Sequence, residues 1–182
     1  MPAAEQWESY FDAVGVVESL GCSHFKGSAV EFGCGYGTFT IPTAQRISGT
    51  LYALDINPLM VEATEVRVSR AGLKNVIIEQ RDFVTQGCGR EAESVCLVLL
   101  FNILHIEEPV DLLKEAYRVL TAGGLVGIIH WNYEERTPRG PPMSIRPRPE
   151  QCRAWGEEAG LRWLRSVGLP GSPWHWGMVL EK

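Results

Sequence analysis

The chain has no long run of lysines and arginines, no C-x-x-C pair, no apolar stretch approaching the roughly 20 residues of a membrane span, and no internal repeat. Each absence removes a class of function. Without a basic run, and with a formal net charge of −5, the electrostatic grip on phosphate that dominates nucleic-acid affinity is missing, so RNA and DNA are not expected partners. Without an apolar span, no membrane segment is expected. The five cysteines, at 22, 34, 88, 96 and 152, are dispersed, so no metal site is expected from them. With no secretory signal ahead of them, the expected setting is a reducing cytoplasm.

What is present is glycine in one telling place. Residues 29 to 37, AVEFGCGYG, run an apolar strand into Gly33, Gly35 and Gly37, with Glu31 two residues ahead of the first. A chain that gives up side chains at alternating positions where a strand ends lets a ligand lie against bare backbone. A dinucleotide fingerprint, G-x-G-x-x-G, would need its third glycine at 38, where Thr38 stands. The next strand, LYALDIN, ends in Asp55, whose carboxylate can accept from two ribose hydroxyls. After VIIEQ comes Arg81-Asp82-Phe83, so three successive strand ends face one crevice.

At 182 residues, 45% of them hydrophobic and 21% charged, the chain suits one domain with a buried core. Trp7, Tyr10, Phe11, Val14 and Val17 stripe a helix over 5–20, expected to cover the mouth of the crevice. Alternating elements follow: a strand at 29–32, a helix at 38–47, a strand at 51–54, a helix carrying Met60 to Ala71, and a strand at 76–79. A loop at 86–89 leads to a doubly buried strand at 95–101. Glu108-Pro109 opens a helix through Leu120 that Gly123-Gly124 closes, and 125–131 is a fifth strand. These are βαβ units of a parallel sheet. Residues 132–149 hold five prolines and four arginines, read as a stiff functional loop. A helix at 150–159 and strands at 161–167 and 174–180 complete the chain.

The motifs EFGCGYG, ALDIN, RDF, LLFNILH and LLKEAYRVLTAGGLVGIIHW, in that order between about 28 and 131, resemble the class I S-adenosylmethionine-dependent methyltransferases, in particular the small-molecule enzymes with a ubiquinone-biosynthesis-like core (type 11). The resemblance implies a Rossmann-like α/β fold: seven strands, mostly parallel, an antiparallel last strand, and helices on both faces. It implies a single methyltransferase domain over 1–182: an N-terminal helical cover (1–27), a cofactor-binding core (28–131), and a substrate-side loop with C-terminal strands (132–182). It also implies S-adenosylmethionine as cofactor and S-adenosylhomocysteine as product. Glu31 and the three glycines would lie under the methionine part, Asp55 would bind the ribose, and Asp82 with Phe83 would frame the adenine. Cys34, Ile56, Phe101 and Asn102 join the same cofactor-binding set. Two positions depart from the pattern: Ile106 stands where the family often has a second histidine, and Cys96 where it often has an aspartate.

Methyl transfer from a sulfonium asks mainly for in-line positioning, worth about 7 to 11 kcal/mol in well-oriented systems, so a general base is needed only for hydroxyl or carbon acids. His130, ending the fifth strand, and His105, in LLFNILH, are the candidate proton acceptors. His24, near a polar turn, reads as solvated. His175 points opposite to Trp174 and Trp176, so either it or they face the pocket. On the acceptor side the candidates are Tyr10, Trp131, Arg139, Arg146 and His175, the arginines suiting an anionic acceptor through bidentate hydrogen bonds. The expected partner is a small molecule, and the chain a monomer or homodimer. Two other readings stay open: a catalytically silent S-adenosylmethionine-binding subunit, and a nicotinamide-dependent oxidoreductase, the latter disfavoured by Thr38.

Overall fold

The computed structural model describes residues 3–21 and 25–182, so His24 and Cys22 lie outside the described residues. One seven-stranded sheet organises them. Its strands are β1 (Ala29–Phe32), β2 (Leu51–Asp55), β3 (Val76–Gln80), β4 (Val95–Phe101), β5 (Leu120–Trp131), β6 (Arg162–Val167) and β7 (His175–Glu181), in the order β3-β2-β1-β4-β5-β7-β6. β3 through β5 pair in parallel, whereas β7 runs antiparallel to both β5 and β6. The order reverses at β1 and β4, and β1 is buried at every position, as a central strand covered on both faces must be. Edge strand β6 instead alternates exposed and half-buried residues.

Among the described residues two helices, α1 (Ala4–Glu8) and α2 (Ala13–Ser19), precede the sheet and five connect its strands: α3 (Thr40–Ala44), α4 (Pro58–Arg70), α5 (Phe83–Gln86), α6 (Pro109–Val119) and α7 (Pro149–Glu158). α6 shows why they sit where they do. Pro109 opens it, Leu112, Leu113, Ala116 and Val119 are buried along one side, and Arg118 occupies its last turn. One core layer holds these residues with Phe32, Leu54 and Ile128, and a second, on the opposite sheet face, packs Val16, Val17 and Leu20 against Leu97, Leu99 and Ile129.

Several boundaries differ from those read in the sequence, each for a local reason. The single helix over 5–20 is two, because the Asp12 side chain accepts from the Gly15 N–H at 3.0 Å and starts α2 afresh. Only 40–44 of the 38–47 segment is helical, with Pro42 inside it lacking a donor for the ladder. Gly123 and Gly124 lie within β5, not at the end of α6: Leu120 already adopts an extended ψ of 138°. α5 was not foreseen, although Asp82 is its N-cap. No helix among the described residues is long and apolar enough to cross a membrane.

Candidate functional site

The loop after β1 is held from three sides. Gly33, Gly35 and Gly37 have φ of 82°, 55° and 75°, the left-handed region that glycine enters without penalty. The N–H groups of Gly33 and Cys34 both donate to the Leu54 carbonyl at the end of β2, at 2.8 and 2.9 Å. Gly35 N–H donates to Asp55 Oδ2 at 2.9 Å, and Asn57 N–H to Asp55 Oδ1 at 2.9 Å, so one carboxylate ties the glycine loop to the start of α4. From α4, Thr64 Oγ1 donates to the Gly35 carbonyl at 2.8 Å. A side chain at Gly37 would come within 3.1 Å of the Thr64 methyl group.

Beside this loop lies a cavity of about 170 Å³. Of the cofactor-binding set expected from the sequence, Gly33, Cys34, Gly35, Asp55, Ile56, Phe83, Phe101 and Asn102 line it; Glu31, Gly37 and Asp82 do not. Glu31 is buried beneath the loop and accepts from Thr40 Oγ1 at 2.5 Å. Burial, with a smaller push from Asp55, raises its carboxyl to about 8 despite that bond. Asp82 caps α5, accepting from the Thr85 hydroxyl at 2.7 Å and from the N–H groups of Val84 and Thr85, which hold it below the usual carboxylate range. Phe83 is buried edge-on against Phe32.

Four lining residues fell outside the expected set: Trp7, Thr38, Phe39 and Ile103. Thr38 Oγ1 is buried without a hydrogen-bond partner, and so are both amide atoms of Asn102, whose φ of 55° is unusual for a residue other than glycine. An unmet buried polar group costs about 1 to 3 kcal/mol, and two residues on this one wall carry such groups. The enclosed volume is below the roughly 300 to 1,000 Å³ of most ligand pockets. Trp7 forms one wall, carried by α1, a five-residue helix in which Trp7 is half-buried and no side chain is fully buried. Arg67 tethers that helix through an ion pair with Glu8 while donating to the Tyr36 carbonyl of the glycine loop at 3.1 Å.

The histidines divide between the two faces of the sheet. Across β5 and β7, His130 pairs with Trp176 and Trp131 with His175, so strand alternation sends each pair to its own side. His130 is fully buried, its Nε2 3.3 Å from Nδ1 of half-buried His105 and its ring stacked over Trp176. Desolvation pushes His130 down to about 3 and lowers His105 as well, so both rings are neutral at pH 7. His175 packs with Trp131 on the other face, and Tyr10 meets the same tryptophan edge-on at 5.3 Å. His175 and Trp176 thus lie on opposite faces of the sheet, and neither lines the cavity beside the glycine loop.

Of the two arginines expected to meet an anion, Arg146 is placed otherwise. Arg146 is buried and spends its guanidinium on the carbonyls of Asn132, Glu134, Arg139 and Pro141 and on Thr137 Oγ1. It is the strap of the proline-rich loop, with no donor direction left for an acceptor. Arg139 is exposed on that loop.

A family model described as a methyltransferase domain matches residues 29–124, which take in β1 through β4, α6 and the start of β5. The chain belongs to the methyltransferase domain family. Among curated proteins the methyltransferase domain is similar to aklanonic acid methyltransferase of Streptomyces sp. (strain C5), 27% identical over 149 residues, covering 75% of this chain and 66% of that protein. It is also similar to demethylmenaquinone methyltransferase of Lactobacillus johnsonii, 28% identical over 104 residues, covering 56% of this chain and 42% of that protein. This chain therefore spans somewhat less than two thirds of one relative's length and under half of the other's. Among solved structures, a SAM-dependent methyltransferase from Aquifex aeolicus superposes with a TM-score of 0.82 at 24% identity, over 95% of this chain and 90% of that one.

Proposed function

We propose that this methyltransferase domain acts as one unit over 1–182 and transfers a methyl group from S-adenosylmethionine to a small organic acceptor. One observation carries the reading: a backbone-lined cavity whose wall holds unmet polar atoms of Asn102 and Thr38 beside the Asp55 carboxylate. These residues fit the cofactor. Asp55 accepts from the ribose hydroxyls, Gly33 and Gly35 admit the methionine portion against bare backbone, Phe83 and Ile56 flank the base, and Asn102 and Thr38 meet its polar atoms. Glu31 supports from below through Thr40, and Asp82 holds Phe83 in place by capping α5. When bound, the cofactor supplies a methyl on a positively charged sulfur, so an acceptor lone pair forms the new bond while the carbon–sulfur pair leaves on S-adenosylhomocysteine.

The chain's own part is to orient the acceptor, keep water out and take a proton where the acceptor carries one. His105 and His130, the candidate proton acceptors read from the sequence, meet at 3.3 Å on the sheet face opposite Trp131 and His175, and neither lines the donor cavity. Four cysteines among the described residues are unpaired, which suits a cytoplasmic enzyme. The curated relatives are named for aklanonic acid and demethylmenaquinone, which supports an organic small molecule as acceptor.

Calorimetry with S-adenosylmethionine tests the donor half. Asp55→Ala is expected to weaken binding about tenfold or more, since it removes an acceptor of charge-assisted bonds and the tether of the glycine loop. Unchanged affinity would remove the role given to Asp55, and no binding to the unmodified protein would sink the whole reading. Release of S-adenosylhomocysteine across a panel of acceptors tests the catalytic half.

A further inference from the structure

His175 is buried, yet neither ring nitrogen has a hydrogen-bond partner. Its ring contacts are aromatic: Trp131 at 4.2 Å between centroids and Phe11 at 4.4 Å. Phe11 in turn packs on Trp7 at 4.9 Å and on Phe39 at 5.0 Å, both of which line the cofactor cavity. An unbroken ring surface thus leads from the cavity wall to an imidazole whose polar atoms are unmet. A neutral imidazole offers one donor and one acceptor, and a buried one left without partners marks a place for a polar group among flat faces.

We propose that Trp131 and His175 form the acceptor subsite, in which a planar, uncharged aromatic alcohol or enol stacks on Trp131 and exchanges a hydrogen bond with His175. This rests on the reading of the adjoining cavity as the methyl-donor site, and it names the acceptor class that reading leaves open. Phe11 now covers His175, and it comes from the turn between α1 and α2. Phe11 is half-buried on a turn flanked by two short helices, and an incoming acceptor exchanges one aromatic ring for another.

Charge around the subsite argues for a neutral acceptor. Burial, and to a lesser degree nearby Arg146, hold His175 down to about 3, so it carries no charge at neutral pH. Arg146 is spent on backbone carbonyls, which leaves no buried cation for a carboxylate or phosphate. A quaternary ammonium would find rings but no carboxylate to balance it, because Glu8 is paired with Arg67 and Asp12 caps α2.

Binding of 2-naphthol, followed by tryptophan fluorescence and calorimetry on the full chain, tests this without relying on turnover. His175→Phe keeps a flat ring and removes both nitrogens; it is expected to weaken 2-naphthol about tenfold while S-adenosylmethionine binds as before. His175→Gln keeps a donor and an acceptor and is expected to recover most of the loss. On the unmodified protein, 2-methoxynaphthalene, which lacks the hydroxyl proton, is expected to bind several-fold more weakly than 2-naphthol, so the proposal stays testable if a variant fails to fold. Equal binding of 2-naphthol by the protein and His175→Phe, equal binding of the two naphthalenes, or tighter binding of choline or 2-naphthoate than of 2-naphthol would each overturn it. Loss of S-adenosylmethionine binding with 2-naphthol binding intact would instead count against the donor site.

Discussion

Glu31 sets a carboxyl group where water cannot reach it. The folded chain keeps its proton to about pH 8, whereas the unfolded chain releases it near 4.5. Between those values the folded state binds more protons, so this group's contribution to stability falls as pH rises through the window and is lowest above it. Glu31→Gln retains an oxygen for the Thr40 hydroxyl and has nothing to titrate. Its stability relative to the unmodified protein is expected to rise from pH 5 to pH 8.5, by a few kcal/mol on the order-of-magnitude scale for such shifts, measured by urea unfolding at several pH values. At this scale the sequence was legible where chemistry is intrinsic to a residue: glycines at alternate positions and an acid on a strand tip. It was silent on Thr38 as a site residue, because an orphaned hydroxyl is defined by the neighbours it lacks. Asn102 entered the expected set with the LLFNILH motif, and no comparable signal marked Thr38.

Among the elements, the proline-rich loop of 132–148 owes its shape to one side chain. Arg146 gathers carbonyls from Asn132 to Pro141, groups that no strand or helix pairs. Arg146→Lys keeps the charge but not the planar fork, and it is expected to cost about 2 to 3 kcal/mol and to speed trypsin cleavage at the exposed Arg139. The proteolysis rate at neutral pH, beside the urea midpoint, measures both. The sequence marked this segment as stiff and functional from its prolines and arginines. Which arginine points inward depends on loop closure, and composition does not carry that. The N-terminal helix shows the same limit. Its aromatic spacing was regular, yet Asp12 capped a second helix and freed Tyr10 and Phe11 to meet Trp131 and Phe39.

For the molecule as a whole, a ligand that binds only the folded chain raises its stability by mass action. At 100 times its dissociation constant S-adenosylmethionine is expected to add about 2.7 kcal/mol, which for a chain of this length raises the melting temperature by roughly 5 to 10 °C. A nicotinamide dinucleotide is expected to leave it unchanged. Thermal melts with each compound check the pair, and a reversed result would revive the oxidoreductase reading.

A seven-stranded, mostly parallel sheet with an antiparallel last strand was readable through the family resemblance that the strand-end motifs carry, whereas the order 3-2-1-4-5-7-6 came from the structure. The amino-acid order alone marked the glycine loop and the Asp55 strand tip on which the proposed donor site rests, since backbone freedom at glycine and acceptor capacity at aspartate belong to the residues themselves. Only the tertiary structure decided the rest: that His130 and Trp131, neighbours in the chain, serve opposite faces of the sheet, and that His175 from β7 joins Trp131 and Phe11. The register of an antiparallel pair across 44 residues of chain sets those meetings, and register is fixed by packing on both faces at once, not by any local run of residues.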